Sequence, residues 1–97
     1  MFSKLKQYKD LRNQAKRIQG ALSTESVQTD AAWGKVKVSM SGNMEITSVT
    51  IDPSLLAPAE KSKLESAVKD AANDAIKKTQ KVMAAKVKEM GGLEMPK

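Results

Sequence analysis

From Pro58 to Met90 the chain carries one uninterrupted helical pattern, and nothing breaks it before Gly91–Gly92. Leu64, Val68, Ala71, Ala75 and Val82 form a stripe at helical spacing, flanked by Ala72, Ile76, Met83 and Val87. Pro58 marks the start, and Glu60 stands in the first turn, where an acid suits the helix dipole. Gly91–Gly92 stop the helix and Pro96 prevents its resumption, so residues 91–97 are expected to form a mobile tail. A helix of about 31 residues is roughly 45 Å long at 1.5 Å per residue. A compact domain of about 100 residues has a radius of gyration of only about 13 Å. The helix is therefore too long for its own domain, and its C-terminal half is expected to project. The projecting half still carries Val82, Met83, Val87 and Met90, whose economical partner is a second copy of the chain.

The rest of the chain has to supply what this helix packs on. Residues 3–22 read as a first helix, with Ser3 as its N-cap and Gly20 and the polar residues from Ser23 ending it. Its apolar positions Tyr8, Leu11, Ala15, Ile18 and Leu22 are spaced 3, 4, 3, 4, a seam of about two heptads that is too short to stand alone. Between the helices, residues 25–52 change period. In Lys35–Ser41 polar residues alternate with Val36, Val38 and Met40, a half-buried strand with those three facing inward. Gly42–Asn43 is a turn signal, and Glu45–Ile51 is rich in β-branched residues. Ile46 and Val49 differ in parity, which requires a bulge near Ser48 or else Ile46 on the outer face. A short strand around Ser26–Thr29 precedes these two. Asp52–Pro53 caps a short helical turn. The fold class is α+β in the order α–β–β–β–α: a small antiparallel sheet, an N-terminal helix and a long projecting C-terminal helix, as a single dimeric domain over 1–97.

Charge is segregated along this order. The chain has 17 Lys and Arg against 11 acids, a net +6 over 97 residues, which favours polyanionic partners. The first helix holds Lys4, Lys6, Lys9, Arg12, Lys16 and Arg17 against Asp10. The strand region is slightly acidic, and Lys77–Lys88 contains five lysines and no acid. At about 100° per residue, Lys9, Arg12 and Lys16 share one face of the first helix, with Lys6 and Arg17 on its flank. Lys77, Lys81 and Lys88 line up on the second helix away from its apolar stripe. Basic residues one turn apart can follow successive phosphates, whereas a surface serving solubility alone mixes both signs. These eight residues are the candidate DNA contacts.

Several classes of function are disfavoured. The chain has no His and no Cys, which removes the commonest general base and the soft metal ligands. Asp70 and Asp74, at i and i+4, are too few for a metal site, and there is no phosphate-binding glycine loop. No enzyme, cofactor, metal or small-molecule substrate is expected. The absence of a bilayer-spanning apolar run and of a signal-peptide core points to a cytoplasmic chain without a membrane partner. Arg12, Asn13, Gln14 and Arg17 could read bases, but no helix-turn-helix, zinc finger or basic zipper frames them. Tyr8 falls on the apolar seam, and Trp33 beside Gly34 reads as a packing anchor, so stacking aromatics for single-stranded binding are missing.

Several runs coincide with one family. Ile51–Asp52–Pro53–Ser54–Leu55–Leu56 resembles the most recognisable motif of the YbaB/EbfC family of bacterial nucleoid-associated proteins. Gly34–Lys35–Val36–Lys37–Val38 with Gly42 is similar to its G-x-V-x-V…G strand. Ala71–Ala72–Asn73–Asp74–Ala75, Met90–Gly91–Gly92–Leu93 and Gln14–Ala15–Lys16 resemble its long helix, its C-terminal close and its first helix. The resemblance covers nearly the whole chain in order. It implies a tight, tweezer-like homodimer whose helices project from a shared sheet, and DNA binding with limited sequence preference that affects nucleoid organisation and gene expression. The family has no fixed DNA-contact motif to carry over, and this first helix is more basic, and the tail shorter, than is usual in it.

The combined expectation is a nucleoid-associated homodimer that grips duplex DNA by its phosphates through Lys6, Lys9, Arg12, Lys16, Arg17, Lys77, Lys81 and Lys88. Its dimer interface is expected at Val36, Val38, Val82, Met83 and Val87. The competing reading is a protein-interaction adaptor whose projecting helices clasp a partner through Val82, Met83, Val87 and Met90; DNA binding weakens steeply with salt and an apolar clasp does not.

Overall fold

The computed structural model describes residues 2–91, with side chains from Leu5 onward. Helix α1 (Phe2–Ser23) leads into strands β1 (Ser26–Ala31), β2 (Val36–Ser41) and β3 (Ile46–Ile51). Two 3-10 turns, Pro53–Leu55 and Pro58–Glu60, then lead to helix α2 (Lys61–Glu89). The sheet is antiparallel in the order β1-β2-β3. The α–β–β–β–α order is the expected one. α1 begins one residue earlier than the sequence pattern implies, so Ser3 lies inside it. Gly91 adopts φ +89, which glycine allows at no steric cost, directly after Met90, the C-cap of α2. The rest of the expected tail lies outside the described residues.

Alternation on β2 works as the sequence implies. Val36, Val38 and Met40 are buried on one face and Lys37 is exposed on the other. What covers the buried face is α2, through Ala67, Ala71, Ala75 and Thr79, each fully or nearly fully buried. Spaced four apart, these small residues form one ridge of the helix and allow its backbone close to the sheet. The approach is near enough that Thr29 Oγ1 of β1 donates a 2.6 Å hydrogen bond to the Ala71 carbonyl. Val36 and Val38, expected at a dimer interface, are instead spent in the protomer's own core and present no surface to a partner. The inward face of a strand in so small a chain goes to its own helix first.

β3 resolves the parity conflict by a bulge. Ile46 pairs with Met40 and Ser48 with Ser39, leaving Thr47 as the extra residue. Directly opposed residues share a sheet face. Ile46 opposite Met40, Val49 opposite Val38 and Ile51 opposite Val36 therefore all point to the α2 side. But α2 lies mainly across β1 and β2; Ile51 at the end of β3 packs against the core, whereas Ile46 and Val49 are 53% and 48% exposed.

The ends of the sheet differ. At one end Ala32, Trp33 and Gly34 all have positive φ, and Trp33, expected as a packing anchor, is 97% exposed. The turn itself dictates this, because it closes through the Lys35 N–H to the Ala32 carbonyl and points the intervening side chain outward. Beside it Asp52 caps the first 3-10 turn, its Oδ1 accepting from the Ser54 N–H at 2.8 Å. The Ser54 side chain and then its backbone hold the Asp52 carboxyl below its usual range. What this cap contributes is present above the ordinary carboxylate pKa and is lost as the pH falls through the lowered one. At the other end Gly42 lies so close to the Leu22 carbonyl that a Cβ there would collide with backbone. That contact seats the end of α1 against the β2–β3 turn.

Both helices run on from this second end, giving a molecule of 64 × 23 × 22 Å with a radius of gyration of 18.6 Å. The bare arm, however, is α1. Leu5, Tyr8 and Leu11 are exposed, whereas Val82, Met83 and Val87 of α2 are half-buried. Met83 and Val87 line an open groove shared with Ala15, Ile18 and Leu22 of α1 and edged by Gln19, Asn43 and Glu45. The C-terminal half of α2, expected to project towards a second copy of the chain, meets the base of α1 in its own chain.

Thr29 and Thr79 give a paired test of the core. The Thr79 hydroxyl is fully buried with no hydrogen-bond partner among the described residues. Thr79→Val keeps the shape and removes an unsatisfied group, so denaturant unfolding should show stability unchanged or raised by up to about 1 kcal/mol. Thr29→Val removes a made bond and should lower it by about 1 kcal/mol.

Candidate nucleic-acid interface

A helix presents charge well because its exposed face is a straight row of side chains, about one turn apart. On α1, Lys6, Lys9, Arg12, Lys16 and Arg17 are all exposed, on the side opposite the seam that ends in the buried Leu22. On α2, Lys77, Lys81 and Lys88 are exposed, opposite the Ala67–Thr79 ridge. Asp70 and Asp74 share that outer face closer to the sheet, so the acid-free stretch begins where α2 approaches its end over the sheet. None of the eight cations makes an ion pair with an acid among the described residues. Their charge is available to an outside anion without a pair having to be broken first.

Lys86 is the exception within the basic stretch. It is only 22% exposed, and its Nζ sits 3.4 Å from Glu25 Oε1 and 4.0 Å from Glu89 Oε2. It belongs to the packing of α2, not to its outer face. The sequence holds no signal for this pairing, since Glu25 and Lys86 are far apart along the chain.

Asn13 and Gln14 lie on α1, Asn13 exposed and Gln14 half-buried, and Trp33 stands at the opposite end of the sheet from the junction where α1 ends. Among the described residues there is no cluster of three or more potential metal ligands. No helix is long and apolar enough to cross a membrane.

Known proteins agree with this frame over almost its full length. The model of the YbaB/EbfC DNA-binding family matches residues 1–94. The chain belongs to the YbaB/EbfC family. A nucleoid-associated protein of Gloeobacter violaceus is 40% identical over 93 residues, covering 95% of this chain and 83% of its own. One from Afipia carboxidovorans is 37% identical over 93 residues, covering 95% of this chain and 89% of its own. In three dimensions an uncharacterised Helicobacter pylori protein superposes with a TM-score of 0.76 at 24% identity, over 95% of this chain and 98% of that one. That likeness concerns the fold. For this YbaB/EbfC member the arrangement of cations is a property of its own helices, and it is testable separately from the fold. Changing Lys9, Arg12 and Lys16 together to Gln should alter stability by no more than about 0.5 kcal/mol, because exposed charges carry little of it. In a gel shift with duplex DNA the same variant should bind markedly more weakly. Affinity within twofold of the parent would make this face a solvated surface only.

Proposed function

We propose that the protein is a non-enzymatic, nucleoid-associated homodimer that binds duplex DNA in the cytoplasm, mainly through phosphate contacts and with little sequence preference. In this role it affects nucleoid organisation and gene expression. The observation that carries the reading is the set of eight exposed cations, free of ion pairs among the described residues, on the outer faces of two helices. Family membership and the names of the relatives support DNA as the polyanion. Binding of this kind draws its free energy from counterions released as lysines and arginines replace them along the backbone. The adaptor reading has less to stand on, because Val82, Met83 and Val87 are already half-buried against their own chain.

A second copy is the partner we infer for β3. The strand is a sheet edge with unpaired backbone groups, and beside that edge lie Ile46 and Val49, apolar and half-exposed. An edge of this kind is a template for another strand. Another β3 presents the same edge and the same apolar pair, so a two-fold arrangement satisfies both at once. Sedimentation at micromolar concentration should give the mass of two chains. Val49→Lys should give the mass of one, with its helical circular dichroism retained. A Val49→Lys protein that remains a dimer would move the interface elsewhere.

The DNA contact itself is read by salt. With two copies, roughly four to six phosphates come within reach, so log K should fall with log salt at a slope of about −4 to −5. Scrambling the duplex at constant length should change affinity little. Removing Lys77, Lys81 and Lys88 should flatten the slope as well as weaken binding, by about one unit for each phosphate left without its lysine. A flat response in the parent protein would remove phosphate contact as the mechanism. Loss of binding on scrambling would make Arg12, Asn13 or Arg17 a base reader.

A further inference from the structure

Two basic helices can engage one duplex together only if something fixes the distance between them. The shared groove is poorly suited to this. It is open, and the side chains that α1 and α2 bring together there, Ala15, Ile18, Leu22, Met83 and Val87, make contacts that are not directional; the Asn43 amide donates to the Gln19 carbonyl at 3.1 Å, which ties α1 to the β2–β3 turn and not to α2. The Glu25–Lys86 pair is directional. Of the ion pairs among the described residues, it is the one that joins α2 to another element, since Lys61–Glu65 and Lys86–Glu89 lie within the helix.

Its two ends are placed differently. The Glu25 backbone is held where α1 ends and β1 begins: its N–H donates to the Leu22 carbonyl at 3.0 Å, and its carbonyl accepts from the Gly42 N–H at 3.0 Å. Gly42 has no room for a Cβ against Leu22, so α1, β1 and the β2–β3 turn meet there as a fixed block. Lys86 reaches that block from α2. At four and seven residues beyond Val82 and Thr79, it occupies the helix's inward stripe, where an apolar residue would continue the pattern. A lysine there is turned away from any phosphate on the outer face.

We propose that Glu25 and Lys86 are positioning residues whose ion pair sets the spread of α1 and α2, and so decides which phosphates the two basic faces reach together. The proposal rests on the DNA-binding reading above. A partly exposed pair contributes little to stability, so its effect lies in how narrowly the two arms are held.

Charge arithmetic supplies a test that a general electrostatic effect cannot imitate. Glu25→Gln makes the protein more positive by one, and Lys86→Met makes it less positive by one. If only net charge matters, the first strengthens DNA binding and the second weakens it. If the pair positions the arms, both weaken binding, by roughly two- to fivefold. The double exchange Glu25→Lys with Lys86→Glu, which keeps the net charge, then restores it, and Lys86→Arg retains it. The absence of cysteine allows nitroxide labels at Asn13→Cys and Ala84→Cys, diluted into unlabelled chains so that distances within one chain are read. The distance distribution should broaden in Glu25→Gln and Lys86→Met and narrow again in the double exchange. Unchanged distributions, or affinity changes of opposite sign in the two single variants, would overturn the proposal. If the parent protein does not bind duplex DNA, the functional reading falls, and the distance distributions still decide whether the pair holds the helices.

Discussion

The close seat of α2 on β1 and β2 is the contact from which the rest of this structure follows. Ala67, Ala71, Ala75 and Thr79 put little more than a Cβ between the helix backbone and the sheet, and the Thr29–Ala71 hydrogen bond measures how near the two come. A narrow ridge gives a tight contact but a narrow one. It shields Val36, Val38 and Met40 on the central strand, with Val27, Ala31 and Ile51 partly buried beside them, and it leaves Ile46 and Val49 of β3 outside. The bulge at Thr47 sharpens the consequence. Without the extra residue Ile46 would point to the solvent face; with it, Ile46 joins Val49 and Ile51 on the α2 side, where Ile51 packs against the core while Ile46 and Val49 stay uncovered. The exposed stripe on β3 and the thinness of the helix ridge are thus one feature.

What the sequence discloses is whatever is decided locally. The β2 alternation, the Asp52–Pro53 cap, the Gly42 turn and the glycine after α2 each depend on a few neighbouring residues, and each lies where the local pattern puts it. The two basic faces are legible for the same reason, because helical period alone places Lys9, Arg12 and Lys16 together. What is not legible is which of several apolar surfaces each one meets. Val36 and Val38 are equally consistent with an intrachain core and with an interface, and only the position of α2 decides. Met83 and Val87 follow a stripe whose partner, the base of α1, is more than sixty positions away in the sequence. The size of Trp33 argues for burial, while the run of positive φ that turns it outward is a property of the hairpin connection. The Glu25–Lys86 pair likewise leaves no periodic trace.

The same geometry bears on why α1 is the arm that stands bare. Lys6 and Lys9, Lys9 and Arg12, and Arg12 and Lys16 are three or four residues apart on one exposed face. Each such pair of like charges costs an isolated helix about 0.2–0.5 kcal/mol, and most of a helix's stability in a protein comes from packing its apolar face. Among the described residues anchorage is at the base, through Leu22 against Gly42 and the groove around Ile18; Leu5 and Tyr8 are 69% and 71% exposed and add little to it. A row of phosphates along the basic face would turn the three repulsions into attractions, and an apolar partner on the opposite side would bury the seam. The face that makes α1 costly to keep helical in isolation is the face that a polyanion relieves. Binding and helical order in this arm are therefore linked: whatever neutralises the face also stabilises the helix that presents it.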